Sequence, residues 1–167
     1  MLMSKKSIFS NRGFTMVEVL VVIAIIGILS TLGIRSFTSS QIKSRDLRRK
    51  ADLTSIAKTL EAYLNDYGSY PSNDETGKIM GCGSAAAAAA CTWGSEFVDD
   101  NNTLYMLQLP ADPKQGNVYF YQSTGSQYAL FALLENTLDS DVMADPSANP
   151  FCGSTNCNYR ITSSNYQ

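Results

Sequence analysis

The sequence predicts an α+β protein: a long N-terminal α-helix, first a membrane span and then an amphipathic stalk, packed on a small antiparallel β-sheet head. Three observations predict it. An apolar run, Phe14–Ile34, carries Glu18 as its only charge. From Ser36 to Asp66 there is no Pro or Gly, and apolar residues recur at three- and four-residue steps in the second half. Two aromatic, apolar runs then flank Ser123-Thr124-Gly125-Ser126-Gln127, the pattern of a hairpin.

Averages conceal this segregation. With 167 residues, a net charge of −2, 44% hydrophobic residues and mean hydropathy −0.10, the chain is neither collagen-like, fully disordered nor multi-span. It contains no histidine. That removes histidine-based triads, Cys2His2 zinc sites and the usual general base near neutral pH.

The N-terminal segment, residues 1–13, is polar and basic, with Lys5, Lys6 and Arg12 and no acid. The segment 14–34 would measure roughly 32 Å as a helix, close to the hydrocarbon thickness of a bilayer. Its Ile, Val, Leu and Ala continue all round, leaving no polar stripe for water. A buried core helix is the alternative, but the rest of the chain is too small to wrap one of that length. An ordinary secretory signal would place its small cleavage-site residue after the apolar run. Here Gly13 comes before it. Cleavage at Gly13–Phe14 would remove the charges and keep the helix.

The stretch Arg12-Gly13-Phe14-Thr15-Met16-Val17-Glu18-Val19-Leu20, followed by Ile23–Leu29, resembles the class III leader of type IV pilins and type II secretion pseudopilins. The resemblance implies a prepilin peptidase that cuts after Gly13 and N-methylates Phe14. It also implies that Glu18 meets the new α-amino group of Phe14, its own or a neighbour's, during filament assembly. A carboxylate inside a span is costly and usually has a partner or a function. The plainer alternative is an interfacial Glu favoured by the positive end of the helix dipole. Arg35 stands where many bacterial pilins carry a proline, so nothing forces a kink there.

Charge and topology conflict. Three basic residues lie on the leader side, and six follow the span: Arg35, Lys43, Arg45, Arg48, Arg49 and Lys50. A bare positive-inside count would place the head in the cytoplasm. The resemblance and the cysteines place it outside, and that orientation is adopted.

The stalk, residues 35–67, carries the stripe Leu53, Ile56, Leu60, Tyr63, Leu64 and Tyr67 for a head to cover. Gly68 and Tyr70-Pro71 supply the stop. Lys43–Lys50, charged nearly all round, is expected to be a solvated neck; subunit contacts, lipid headgroups or nucleic acid are the functional alternatives. The segment Lys50–Pro71, ending in Asp66-Tyr67-Gly68-Ser69-Tyr70-Pro71, again resembles pilins and major pseudopilins. So does Leu109-Pro110-Ala111-Asp112-Pro113.

In the head, residues 68–167, six alanines, Ala85–Ala90, lie between Cys82 and Cys91. Alanine is the best helix former, so a short helical turn closed by a disulfide is expected. Trp93 is expected to anchor packing. Strands are expected at Asn117–Gln122, Tyr128–Leu134 and Tyr159–Thr162.

Four cysteines allow three pairings. Local pairing, Cys82 with Cys91 and Cys152 with Cys157, is expected because each encloses a short loop, and disulfides fit an exported head. Glu135, Asp139, Asp141 and Asp145 cluster after the second strand. Oxygen-rich loops bind calcium, and the resemblance implies a calcium site in roughly this region, with Asp139, Asp141 and Asp145 as candidates. The spacing lacks the glycine-rich context of such sites. An acidic, solvated loop without metal is the expectation. No P-loop, GxGxxG, Ser/His/Asp set or carboxylate dyad is present, and no enzymatic activity is expected.

The expected function is structural: a subunit of a type IV pilus-like helical filament, built from copies of the chain. The resemblance implies further partners: the membrane, prepilin peptidase, a pilus or secretion assembly platform and its cytoplasmic ATPase. It also implies a single-pass precursor in the inner membrane and a mature periplasmic or extracellular filament. Nucleic acid is not an expected partner, DNA uptake being a third possibility. The rival readings are a type II secretion pseudopilin and an uncleaved, membrane-anchored binding protein. Residues 35–58 hold seven basic residues against two acids, and residues 59–167 three against twelve. A basic neck thus precedes an acidic head.

Overall fold

A computed structural model describes residues 13–84 and 87–166, with backbone alone at 31–36, 84, 87 and 88. The basic leader, apart from Gly13, lies outside the described residues. The first element, α1, spans Met16–Tyr67. Thr15 caps it in a reciprocal box: the Glu18 amide donates to Thr15 Oγ1 (3.3 Å), while the Thr15 amide and hydroxyl donate to Glu18 Oε2 (2.8 and 2.9 Å). At the other end Gly68 adopts φ 71°, and its amide donates to Leu64 O at 2.7 Å, the left-handed stop glycine permits.

The chain divides into two compact units, Met1–Ser40 and Gln41–Gln167. In the first, every residue from Gly13 to Ser30 is exposed, including Phe14 at 87%. Among the described residues, no helix is long and apolar enough to cross a membrane. Side chains are described only to Ser30 in this stretch, so the last part of the predicted span, 31–34, lies outside the described side chains.

In the second unit, the helix from Gln41 onward packs on three small antiparallel sheets. The first holds β1 (Ser72–Asn73), β2 (Ile79–Ser84) and β3 (Ala87–Ala90), and the second β4 (Phe97–Val98) and β5 (Leu104–Met106). The third is β6 (Phe120–Ser123), β7 (Tyr128–Ala132) and β8 (Tyr159–Thr162), with Tyr121 opposite Leu130 and Leu130 opposite Ile161. The expected hairpin and third strand are therefore present. Its first strand starts later than the apolar run, because Val118 N donates to Cys152 O rather than into the ladder.

Strand β7 is buried along its whole length because both its faces are covered. Tyr128, Leu130 and Ala132 join the main core with Leu53, Ile56 and Leu60 of α1. Ala129 and Phe131, on the alternate face, pack with Cys152 and Cys157. Of the predicted stripe, Leu53, Ile56 and Leu60 are fully buried, whereas Tyr63 and Leu64 are half-buried. Tyr67 is exposed; its ring stacks on Tyr63 with centroids 4.4 Å apart. Trp93 is a packing anchor, edge-on to Tyr119.

The alanine run corrects an expectation. Ala87–Ala90 is a strand paired with β2, not a helical turn. Six residues cannot cover the cost of helix nucleation, and ladder pairing satisfies the backbone instead. A Cβ on Gly81 in β2 would lie 2.9 Å from the Phe97 ring, so the ribbon's small residues let that ring close over it.

Candidate functional site: the helix start and the charged neck

Two places concentrate the chain's chemistry, one in each unit. At the helix start, Gly13 and Phe14 precede the cap and are exposed. Glu18, the only charge of the apolar run, is engaged locally by Thr15 as described above. Glu18 shares an open surface hollow with Phe14, Val17, Val21 and Val22. A carboxylate satisfied within its own chain sits amid an otherwise apolar surface.

The charged neck overturns the expectation of a solvated collar. Along this part of α1 a buried stripe runs through Asp46, Arg49, Leu53, Ile56 and Leu60, spaced three, four, three and four residues, with Thr59 buried beside it. The core stripe therefore continues into Lys43–Lys50, with ion pairs replacing leucines. Arg49, fully buried, donates from Nε and Nη2 to both oxygens of Asp112 (2.8 Å each). Its Nη1 reaches Asp46 Oδ1 at 2.7 Å and Glu135 Oε1 at 2.8 Å. Arg45 clasps Glu135 with two bonds of 2.7 Å. Asp46 accepts the amides of Glu135 and Asn136, fastening the loop after β7 to the helix.

Hydrogen bonds from Arg45, together with Arg49, hold the Glu135 carboxyl down at about 2 against an opposing burial effect. Burial opposes the charge on Arg49, yet its bonds to Asp112 and Glu135 outweigh it and raise the guanidinium further. Broken singly, such a cluster leaves an unpaired buried charge; intact, it fixes one docking of loop on helix.

Lys50, one residue further, donates to Asp139 Oδ1 and Asp141 Oδ2, both at 2.7 Å. Asp145, the third calcium candidate, accepts the Ser147 amide at 2.9 Å. Among the described residues, no group of three or more acidic, cysteine or histidine side chains is gathered as a metal site would need. The donor set does not fit a divalent ion, because an ammonium already stands between its two convergent carboxylates. The acidic loop is thus solvated only in part: Glu135 and Asp139 are half-buried on α1, while Asp141 and Asp145 are exposed as expected.

These pairings also engage part of the basic neck. Arg45, Arg49 and Lys50 are spent inside the chain, and Arg48, largely exposed, lies 3.8 Å from Asp52. Lys43, Arg48 and Lys58 stay exposed on the neck.

The disulfides join Cys82 to Cys91 and Cys152 to Cys157, the local pairing. The first closes the β2–β3 ribbon, and the second lies under Phe131.

Comparison with known proteins adds names to this geometry. Residues 8–34 match the family model described as the prokaryotic N-terminal methylation motif. The chain is 31% identical over 117 residues to the type II secretion system core protein G of Pseudomonas aeruginosa, covering 70% of this chain and 77% of that protein. The Escherichia coli core protein G is 28% identical over 132 residues, 79% and 85% of the two chains. The type IV major pilin PilA of Myxococcus xanthus is 32% identical over 88 residues, 48% and 40% of the two chains. No solved structure matches.

Proposed function

The chain belongs to the type II secretion system core protein G family, and we propose on that basis that it is the repeating subunit of a secretion pseudopilus. It is a structural filament protein of the pilin and pseudopilin class. The observation that carries the secretion reading is the reach of the similarity. Alignment with core protein G extends from helix into head, over 70% of the chain, whereas alignment with the pilin stops at 48%.

Physical chemistry supports a polymer built through the helix. An apolar surface exposed all round, Phe14 to Leu29, must be covered by lipid before assembly and by like helices afterwards. Cleavage at Gly13–Phe14 would free an α-amino group, which the same peptidase would methylate. Glu18 would then exchange its Thr15 contacts for that amine in a neighbouring subunit, neutralising a charge that lipid disfavours. The precursor is anchored in the inner membrane by this segment, with the disulfide-bearing head outside the cytoplasm. The assembly platform and the cytoplasmic ATPase that extract each subunit are supplied by other chains.

Mass spectrometry of the mature N-terminus tests the processing: a methylated Phe14 is expected, and an intact Met1 would sink the reading. Glu18→Ala should leave a processed, membrane-resident protein that forms no filament. A surface type IV pilus is the second reading, favoured by the match to the pilin. Loss of the gene separates the two: secretion of exported proteins stops in the first case, and surface pili vanish in the second.

A further inference from the structure

We propose that Lys50 is the resident cation of the acidic loop after β7, its ammonium holding that loop on α1 where a divalent ion would otherwise be needed, so that the head folds without calcium. The argument starts from where the loop's oxygens go. Glu135 is spent on Arg45 and Arg49, and Asp145 on the Ser147 amide. Asp139 and Asp141 converge, and what they converge on is Lys50 Nζ, at 2.7 Å from each.

The arrangement is built rather than incidental. The Asp141 amide donates to Asp139 Oδ1 at 3.0 Å, a turn that aims both carboxylates the same way. Tyr159, from β8, places its ring 5.6 Å below the ammonium, a third partner for a positive charge. Lys50 and Asp139 are each only about one-fifth exposed. Burial disfavours the ammonium, but the bonds to Asp139 and Asp141 outweigh it, and the net effect is to keep Lys50 charged. Calcium requires six to eight oxygens at about 2.3–2.6 Å. With two carboxylates already on an ammonium, an incoming ion would meet too few ligands and a like charge.

The helix position explains the economy of the device. Lys50 follows Arg49, so consecutive residues of α1 hold the two ends of one loop: Arg49 with Arg45 at Glu135, Lys50 at Asp139 and Asp141. Arg45, Arg49 and Lys50, within two turns of α1, thus supply the loop's closest cations, and Lys114 adds a longer pair to Glu135 at 3.6 Å.

The test is thermal unfolding of the full chain in detergent micelles, with EDTA or with about 5 mM calcium, above the range of weak extracellular sites. The unaltered chain is expected to melt at the same temperature in both, and calorimetric titration with calcium should give no binding heat. Lys50→Met should lower the Tm by about 3 °C or more in EDTA, and Lys50→Arg should restore most of it. Asp141→Asn, at a half-exposed position, provides a milder variant should the first fail to fold, with a smaller loss expected. A rise in Tm of the unaltered chain on adding calcium would overturn the proposal. So would Lys50→Met and Asp141→Asn variants as stable as the parent.

Discussion

Residues Met16–Ser30 and Gln41–Tyr67 belong to one helix, α1, yet they meet their surroundings on opposite terms. The first stretch keeps every apolar side chain on its surface and satisfies its single charge internally, through Thr15. The second buries Leu53, Ile56 and Leu60 in its own head and aims Arg45, Arg49 and Lys50 at that head's acids. One is finished only by lipid or by other copies; the other is complete within a single chain. The contrast teaches that only the second stretch is amphipathic around its axis, while the first is apolar on every side.

Breaking the second region should be expensive without touching the first. Arg49→Met strands Asp46 and Asp112 without their cation and is expected to cost about 3–5 kcal/mol in urea unfolding of the detergent-solubilised chain. An unchanged unfolding midpoint would mean the neck is not part of the core. Leu53→Ala should cost about 2–5 kcal/mol by the same measure. Ile26→Ala, more than half exposed, should shift head unfolding by under about 0.5 kcal/mol while reducing filament yield. That pair sharpens the contrast most directly.

Replacing Cys152 and Cys157 by serine should cost about 2–3 kcal/mol, because the bridge closes a short loop beneath Phe131. Stability should also depend on pH. Glu135, held at about 2 rather than at its ordinary 4.5, contributes stability that is complete above about pH 4.5. The contribution drains away as pH falls toward 2. Glu135→Gln should flatten that part of the curve measured by urea midpoints, and an unaltered acid limb would count against the cluster.

Much of this was readable in advance, for definite reasons. Leu53, Ile56 and Leu60 announce themselves by period, and the hairpin by its turn residues between two aromatic runs. The alanines misled, because helix propensity is a weak preference and strand pairing of β3 with β2 overrides it. Lys43–Lys50 misled for a different reason. Charge spacing shows which residues share a face, but not that Asp112 and Glu135, 63 and 86 residues from Arg49, will fold onto it. A signal was present nonetheless. Stepping back from Leu53 by four and then three lands on Arg49 and Asp46, the two charged residues of α1 that prove to be buried.

The phenols of the head have a consequence for spectroscopy. Tyr70, Tyr105 and Tyr119 donate to Glu61, Asp66 and Asp52 of α1, and Tyr67 to Asp99. Burial and its bond to Glu61 push Tyr70 up to about 12, and the bond to Asp99 does the same for Tyr67. Burial raises Tyr119, Tyr121 and Tyr128 further still. The stability these raised groups confer is whole below about pH 10 and declines above it. Followed in the ultraviolet, phenolate formation in alkali should therefore lag and then arrive together, a built-in optical reporter of the moment the head lets go of its helix.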